Sequence, residues 1–369
     1  MDIGGNEIRK KDTIVRQSNI ELLRILSMIM IIAHHVGVHS GFVFDTGIHI
    51  NEFWVLFLKI GGKIGVNIFV LISGYFLIDA KTLKTSKALK LWVQIFSYSV
   101  LIYTVFVICG FETFNVKMMF EALFPITYSK WWFASAYFVL YLLFPYINKL
   151  LTALDKKEYQ KLLVLMTVCW CIIPTFLEKS WQSNSLLWFI YLYALAGYLR
   201  LHMDVTVLKS GKYVAFSVAF TVFTYFSAVI IDMLSSKNSF YTDYVTYFYN
   251  MQRLPILVIS VTLFIGFLNL KIGYKPLINI ISSSTFGIYL IHDDRLVRKM
   301  LWKTLFQNAS HKDSEYLIVY TIFEIVVVFV VCAAIELFRI YAIERIYIKG
   351  LDILAEKFDK MNNKFFNRI

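Results

Sequence analysis

Runs of about 20 apolar residues recur along almost the whole chain, and that is the length of α-helix that crosses the hydrocarbon of a bilayer. Hydrocarbon offers no partner to backbone N–H and C=O groups, so such runs fold as helices that bond internally. With 58% of 369 residues hydrophobic, a soluble fold is excluded. Aromatic residues mark places where apolar runs meet polar ones, as at Trp131 and Trp132, the position of an interfacial belt. The fold class is therefore all-α, a polytopic membrane helix bundle.

The pass along the chain predicts ten spans, near 20–39, 53–78, 91–110, 132–152, 162–177, 185–201, 213–234, 253–270, 277–296 and 317–341. Residues 1–19 form a polar tail, 20–345 the membrane domain and 346–369 a basic tail amphipathic enough to lie on the inner surface. No small-residue cleavage site follows the first apolar run, so it is expected to stay as a transmembrane helix. Lys and Arg crowd the first tail (Arg9, Lys10, Lys11, Arg16), the loop after the second span (Lys81, Lys84, Lys87, Lys90) and the loop after the fourth (Lys149, Lys156, Lys157, Lys161). Cytoplasmic loops carry that excess, so both termini are expected inside. One connection runs against the pattern: Arg295, Arg298, Lys299, Lys303 and Lys312 follow the ninth span, on the expected outer side. The net charge of +12 is then mainly a topology signal, with membrane lipids as a secondary contact and no nucleic-acid partner.

Chemistry is concentrated in the first span. Arg24 and His35 are eleven residues apart, which returns them to nearly the same helix face about 16 Å apart along the axis. His34 points about 100° away from His35. Ionisable residues in a span are expensive and by default mark a site or pathway. The four cysteines, Cys109, Cys169, Cys171 and Cys332, lie in apolar segments and read as packing, and no metal site is expected. The glycine-rich Gly61–Gly65 stretch lacks the Lys-Ser/Thr of a phosphate loop and is no nucleotide site.

The stretch NIELLRILSMIMIIAHH, with Arg24 and His35 bracketing ten residues, resembles the first-span signature of membrane acyltransferase family 3, the bacterial O-acyltransferases of cell-surface glycans. GVNIFVLISGYFLI (65–78), WWFASAYFVLYLLFPYIN (131–148) and FGIYLIHD (286–293) are similar, in order, to further segments of that family, so the resemblance covers about residues 18–345. It implies transfer of an acyl group, usually acetyl from cytoplasmic acetyl-CoA, to an extracytoplasmic glycan hydroxyl, in a bacterial plasma membrane. On that reading the catalytic residues are His35, the general base, Arg24, and His292 at similar depth to His35 on the ninth span. Arg24 also serves the acetyl-CoA side, together with Lys84, Lys87, Lys90, Ser73 and Tyr75. The family's second loop commonly carries an arginine motif where this chain has lysines, which bind phosphate as point charges without the bidentate fork. Trp131, Trp132, Asn250, Gln252 and Arg253 are expected on the acceptor path. Some members carry a fused extracytoplasmic hydrolase-like domain; here direct acylation, or hand-over to an envelope-biosynthesis partner protein, is expected instead. The alternative is a transporter or exporter of a glycan or lipid-linked sugar, which also suits buried ionisable groups in ten spans.

Overall fold

The computed structural model describes residues 17–44, 49–177 and 181–366. The tail cations Arg9, Lys10, Lys11 and Arg16 lie outside the described residues, and so does Arg368. Among the described residues all regular structure is helical. Eight helices are long and apolar enough to cross a membrane: Ser18–His39 (α1), Ile50–Leu77 (α2), Thr85–Ile108 (α3), Trp132–Ala153 (α5), Lys156–Leu177 (α6 and α7), Ser210–Ser235 (α9), Ser239–Leu268 (ending in α10, Leu254–Leu268) and Leu317–Met361 (α14 and most of α15). The short helix α4, Val116–Leu123, lies between α3 and α5.

The two remaining predicted spans take other forms. Residues 185–201 form α8, Ser185–His202, capped by the Asn184 side chain, which accepts from Leu187 N–H. Residues 277–296 form two eight-residue helices, α11 (Pro276–Ser283) and α12 (Thr285–His292), separated at Ser284. The run Ser282–Thr285 explains the break. Ser283, Ser284 and Thr285 donate their hydroxyls to carbonyls three residues back, competing with the helical ladder. After α12, Asp294 caps the four-residue α13, Arg295–Arg298.

The core is organised around α2, which packs against α1, α5, α8, α9, α10 and α14. Its glycines allow the closest of these approaches. A Cβ on Gly62 would sit 2.6 Å from His34 Cβ, and one on Gly65 would sit 2.6 Å from the Ser27 carbonyl oxygen, so α1 and α2 meet almost backbone to backbone. At the end of the chain, α14 (Leu317–Phe338) runs through a π-helical turn, Arg339–Ile343, into α15 (Glu344–Phe366). The region expected as a surface tail is thus a helix packed on α3, with Leu351 and Ala355 buried and Thr85 donating to Asp359 at 2.6 Å.

Candidate active site

The register of α1 brings Arg24, Met28, Ile31 and His35 to one face, and that face lines a cavity of about 390 Å³ between α1, α2, α3, α5 and α12. Met28, Phe69, Leu91, Phe133 and Phe286 make much of its wall apolar, and the polar groups gather at its two ends.

At one end stand Arg24, Lys87, Lys90 and Gln94. Arg24 Nε lies 3.7 Å from Glu21 and, among the described residues, makes no hydrogen bond. Lys90 is paired with Glu344 at the start of α15, and the same carboxylate is 3.0 Å from Arg339 Nη1. Arg339 also holds buried Glu336 with a two-pronged contact at 2.7 and 2.8 Å, and Glu336 accepts from Gln94 and Tyr98 of α3 at 2.9 and 2.6 Å. The last helices are therefore bolted to this mouth through a shared charge network.

At the other end the histidines meet. His35 Nδ1 is 2.9 Å from His292 Nε2, and His292 Nδ1 is 2.6 Å from the Ile288 carbonyl oxygen, one turn back on α12. A carbonyl can only accept, so His292 carries its proton on Nδ1 and its Nε2 accepts from His35 Nδ1–H. His35 Nε2 is left unprotonated, the atom a general base needs. Asp293 Oδ1 lies 3.6 Å from that nitrogen, where it can stabilise the imidazolium formed on proton uptake. His34, on another face, is 2.6 Å from the Lys59 carbonyl oxygen through Nδ1.

His35, His39 and Asp293 also bring donor atoms within 4.8 Å of one another, a spacing that suits a cation. The cation these groups face is the Arg298 guanidinium, 3.2 Å from Asp293 and 3.1 Å from His39 Nε2. A second ion pair, Lys130 to buried Asp294 at 3.0 Å, lies beside it.

The remaining candidates divide. Ser73 lines the cavity and shares a 2.9 Å hydrogen bond with Tyr137, which lines it too. Tyr75 is outside the lining, under the Arg200 guanidinium, and Lys84 is an exposed residue at the start of α3. Trp132 lines the cavity, whereas Trp131 is buried against Lys130. Asn250, Gln252 and Arg253 lie apart from the cavity. Asn250 accepts from the Gln252 N–H, Gln252 donates to Ser183, and Arg253 stacks on Tyr247 at 4.1 Å. Sequence reasoning missed Lys63, whose ammonium stands 4.7 Å from the centre of the Trp132 ring inside the cavity. Its signal was a lysine in the middle of a long apolar span, one turn beyond Lys59. It also missed Asp293, whose part depends on a helix end that only the fold brings beside His35.

A helical membrane bundle whose cavity gathers cations at one end and an oriented histidine pair at the other has the parts that an intramembrane group-transfer enzyme needs. The family-3 acyltransferase model, described as an acyltransferase domain, matches residues 17–337, and the chain belongs to this family. It is a multi-pass membrane acyltransferase. No curated protein matched the chain in the comparison, and no solved structure did.

Proposed function

We propose that this protein moves an acyl group, acetyl in the simplest case, from cytoplasmic acyl-CoA to a hydroxyl of an extracytoplasmic cell-surface glycan or exopolysaccharide in a bacterial plasma membrane. The observation that carries the reading is the single cavity joining the Arg24, Lys87 and Lys90 mouth to His35. CoA phosphates suit the cationic mouth. The pantetheine arm is long and thin enough to occupy the apolar passage, and its thioester would then lie beside His35.

The chemistry follows from the proton positions. His35 Nε2 takes the proton of the glycan hydroxyl as its oxygen attacks the thioester carbonyl, and Asp293 stabilises the imidazolium. The Lys63 ammonium supplies positive charge for the oxygen of the tetrahedral intermediate. Collapse breaks the C–S bond, and the thiolate leaves with the proton held by His35. An ester and free CoA thiol result, with no net proton released.

Sided proteoliposomes test this. Acetyl-CoA on the face that exposes Lys84 and Lys87 should release CoA slowly alone and faster with glycan acceptor, and His35→Ala should reduce both to background. Passage of a labelled glycan or lipid-linked sugar with CoA release no higher than in His35→Ala would replace the acyltransferase reading with a transporter.

A further inference from the structure

A second cavity, of about 370 Å³, opens at the His35 end of the bundle and takes no part in the chemistry above. Its walls are the stretch after α1 (Phe42, Phe44), the first turns of α2 (Glu52, Lys59), the last turn of α9 (Asp232, Ser235) and the 3₁₀ segment that precedes α10 (Thr242, Thr246).

Three of these residues, Glu52, Lys59 and Asp232, are ionisable groups on apolar membrane-length helices, a placement that is costly unless a partner or a function offsets it. Among the described residues no direct ion pair joins them. Their cost is therefore not offset by pairing. All three are half-buried and converge on one space of the size that holds small ligands.

The chemistry of the lining narrows the ligand. Two carboxylates accept hydrogen bonds from hydroxyl or amide groups, and one ammonium donates. Ser235 and Ser236 give their protons to the Asp232 and Met233 carbonyls at 2.7 and 2.8 Å, which leaves both hydroxyl oxygens as acceptors. The wall is thus acceptor-rich, with one more negative charge than positive. The Phe42 and Phe44 rings, near-parallel at 18°, add aromatic surface. An acceptor-rich, slightly anionic wall with aromatic faces suits a polyhydroxylated ligand without negative charge, and repels phosphate or uronate.

The position fits the reaction. Lys59 lines this cavity while its own carbonyl holds His34, a residue of the central cavity, so one residue of α2 forms part of the wall between the two spaces.

We propose that this second cavity binds a neutral sugar unit of the acceptor glycan next to the one being acylated. In naming the ligand as acceptor, the assignment rests on the acyl-transfer reading. The test uses full-length protein in nanodiscs and saturation-transfer NMR with neutral oligosaccharides built on glucose, galactose, mannose and N-acetylglucosamine. Oligogalacturonate is the anionic comparison. At least one neutral oligosaccharide should bind, and oligogalacturonate should bind at least about tenfold more weakly. Glu52→Gln and Asp232→Asn should each weaken neutral binding by about tenfold or more, the loss expected for a charge-assisted hydrogen bond. Thr246→Phe, which fills the cavity from its exposed rim, should do the same, with size-exclusion profiles confirming folded protein. Absence of neutral binding, a preference for the anionic oligosaccharide, or unchanged binding in all three cavity variants overturns the site. Sugar binding without CoA release sinks only the transfer reading, and CoA release without sugar binding sinks only the site.

Discussion

At the scale of single residues, the proton chain from the Ile288 carbonyl through His292 to His35 sets sharply different expectations for neighbouring histidines. His35→Ala is expected to lower the transfer rate by about 10²–10⁴ while the protein inserts normally, measured as CoA release from proteoliposomes. Near-wild-type turnover would remove His35 from the chemistry. His34→Ala should be milder, because His34 bonds a backbone carbonyl on another face. His292→Gln should keep part of the activity, since its side-chain oxygen can accept from His35 Nδ1, whereas His292→Ala removes that acceptor and frees the tautomer. Arg24→Lys keeps the charge and loses the planar fork, so KM for acetyl-CoA should rise; an unchanged KM would place the phosphates elsewhere. Lys63→Met should lower kcat by about 10²-fold with KM little changed, the pattern of a group that acts only in the transition state. Equal damage to both constants would make Lys63 a binding residue instead.

At the scale of elements, the close approach of α1 and α2 is the most exposed to change. Gly62→Val puts a branched side chain where His34 already sits, and Gly65→Val drives one into the Ser27 carbonyl. Each should cost about 1–3 kcal/mol of stability and displace His35 from His292, read as a lower apparent Tm together with lost CoA release. The α14–α15 junction makes a different prediction. Arg339→Met leaves Glu336 and Glu344 buried without their shared cation, at a cost of about 3–5 kcal/mol, visible as early thermal unfolding in detergent. A melting curve that matches wild type would show the network to be dispensable. These elements also show what a sequence discloses. The Arg24 and His35 register on α1 was readable, because helical periodicity fixes it without any neighbour. The ninth span was readable as apolar but not as broken, since four consecutive hydroxyl residues look merely polar until their backbone bonds are seen. Lys87 and Lys90 belong to the cavity and Lys84 does not, a distinction set by the way α3 packs. Asn250, Gln252 and Arg253 looked like an aqueous approach, yet packing turns them toward Ser183 and Tyr247.

At the scale of the whole molecule, the basic connection after the ninth span is the feature that charge counting handles least well. Arg298 is occupied by Asp293 and His39, and Lys312 donates to the Val43 carbonyl at 2.9 Å, so these cations are partly engaged in folding and carry less topological meaning than their number suggests. The expected orientation can be checked with single cysteines in a cysteine-free background. Lys84→Cys should react with a membrane-impermeant maleimide only after the cytoplasmic face is opened, and Lys303→Cys in intact cells; the reverse pattern would invert the protein. Placing Arg24 and His35 on one continuous helix has a further consequence, for how such a chain can vary. Domain closure cannot bring the two groups nearer, so their separation is written directly in residue count. One residue inserted between them would swing everything beyond it by about 100° and carry His35 off the face it shares with Arg24. Substitutions in this interval can be absorbed by repacking, but insertions and deletions cannot, and a library of one-residue length variants across 25–34 should contain no active member.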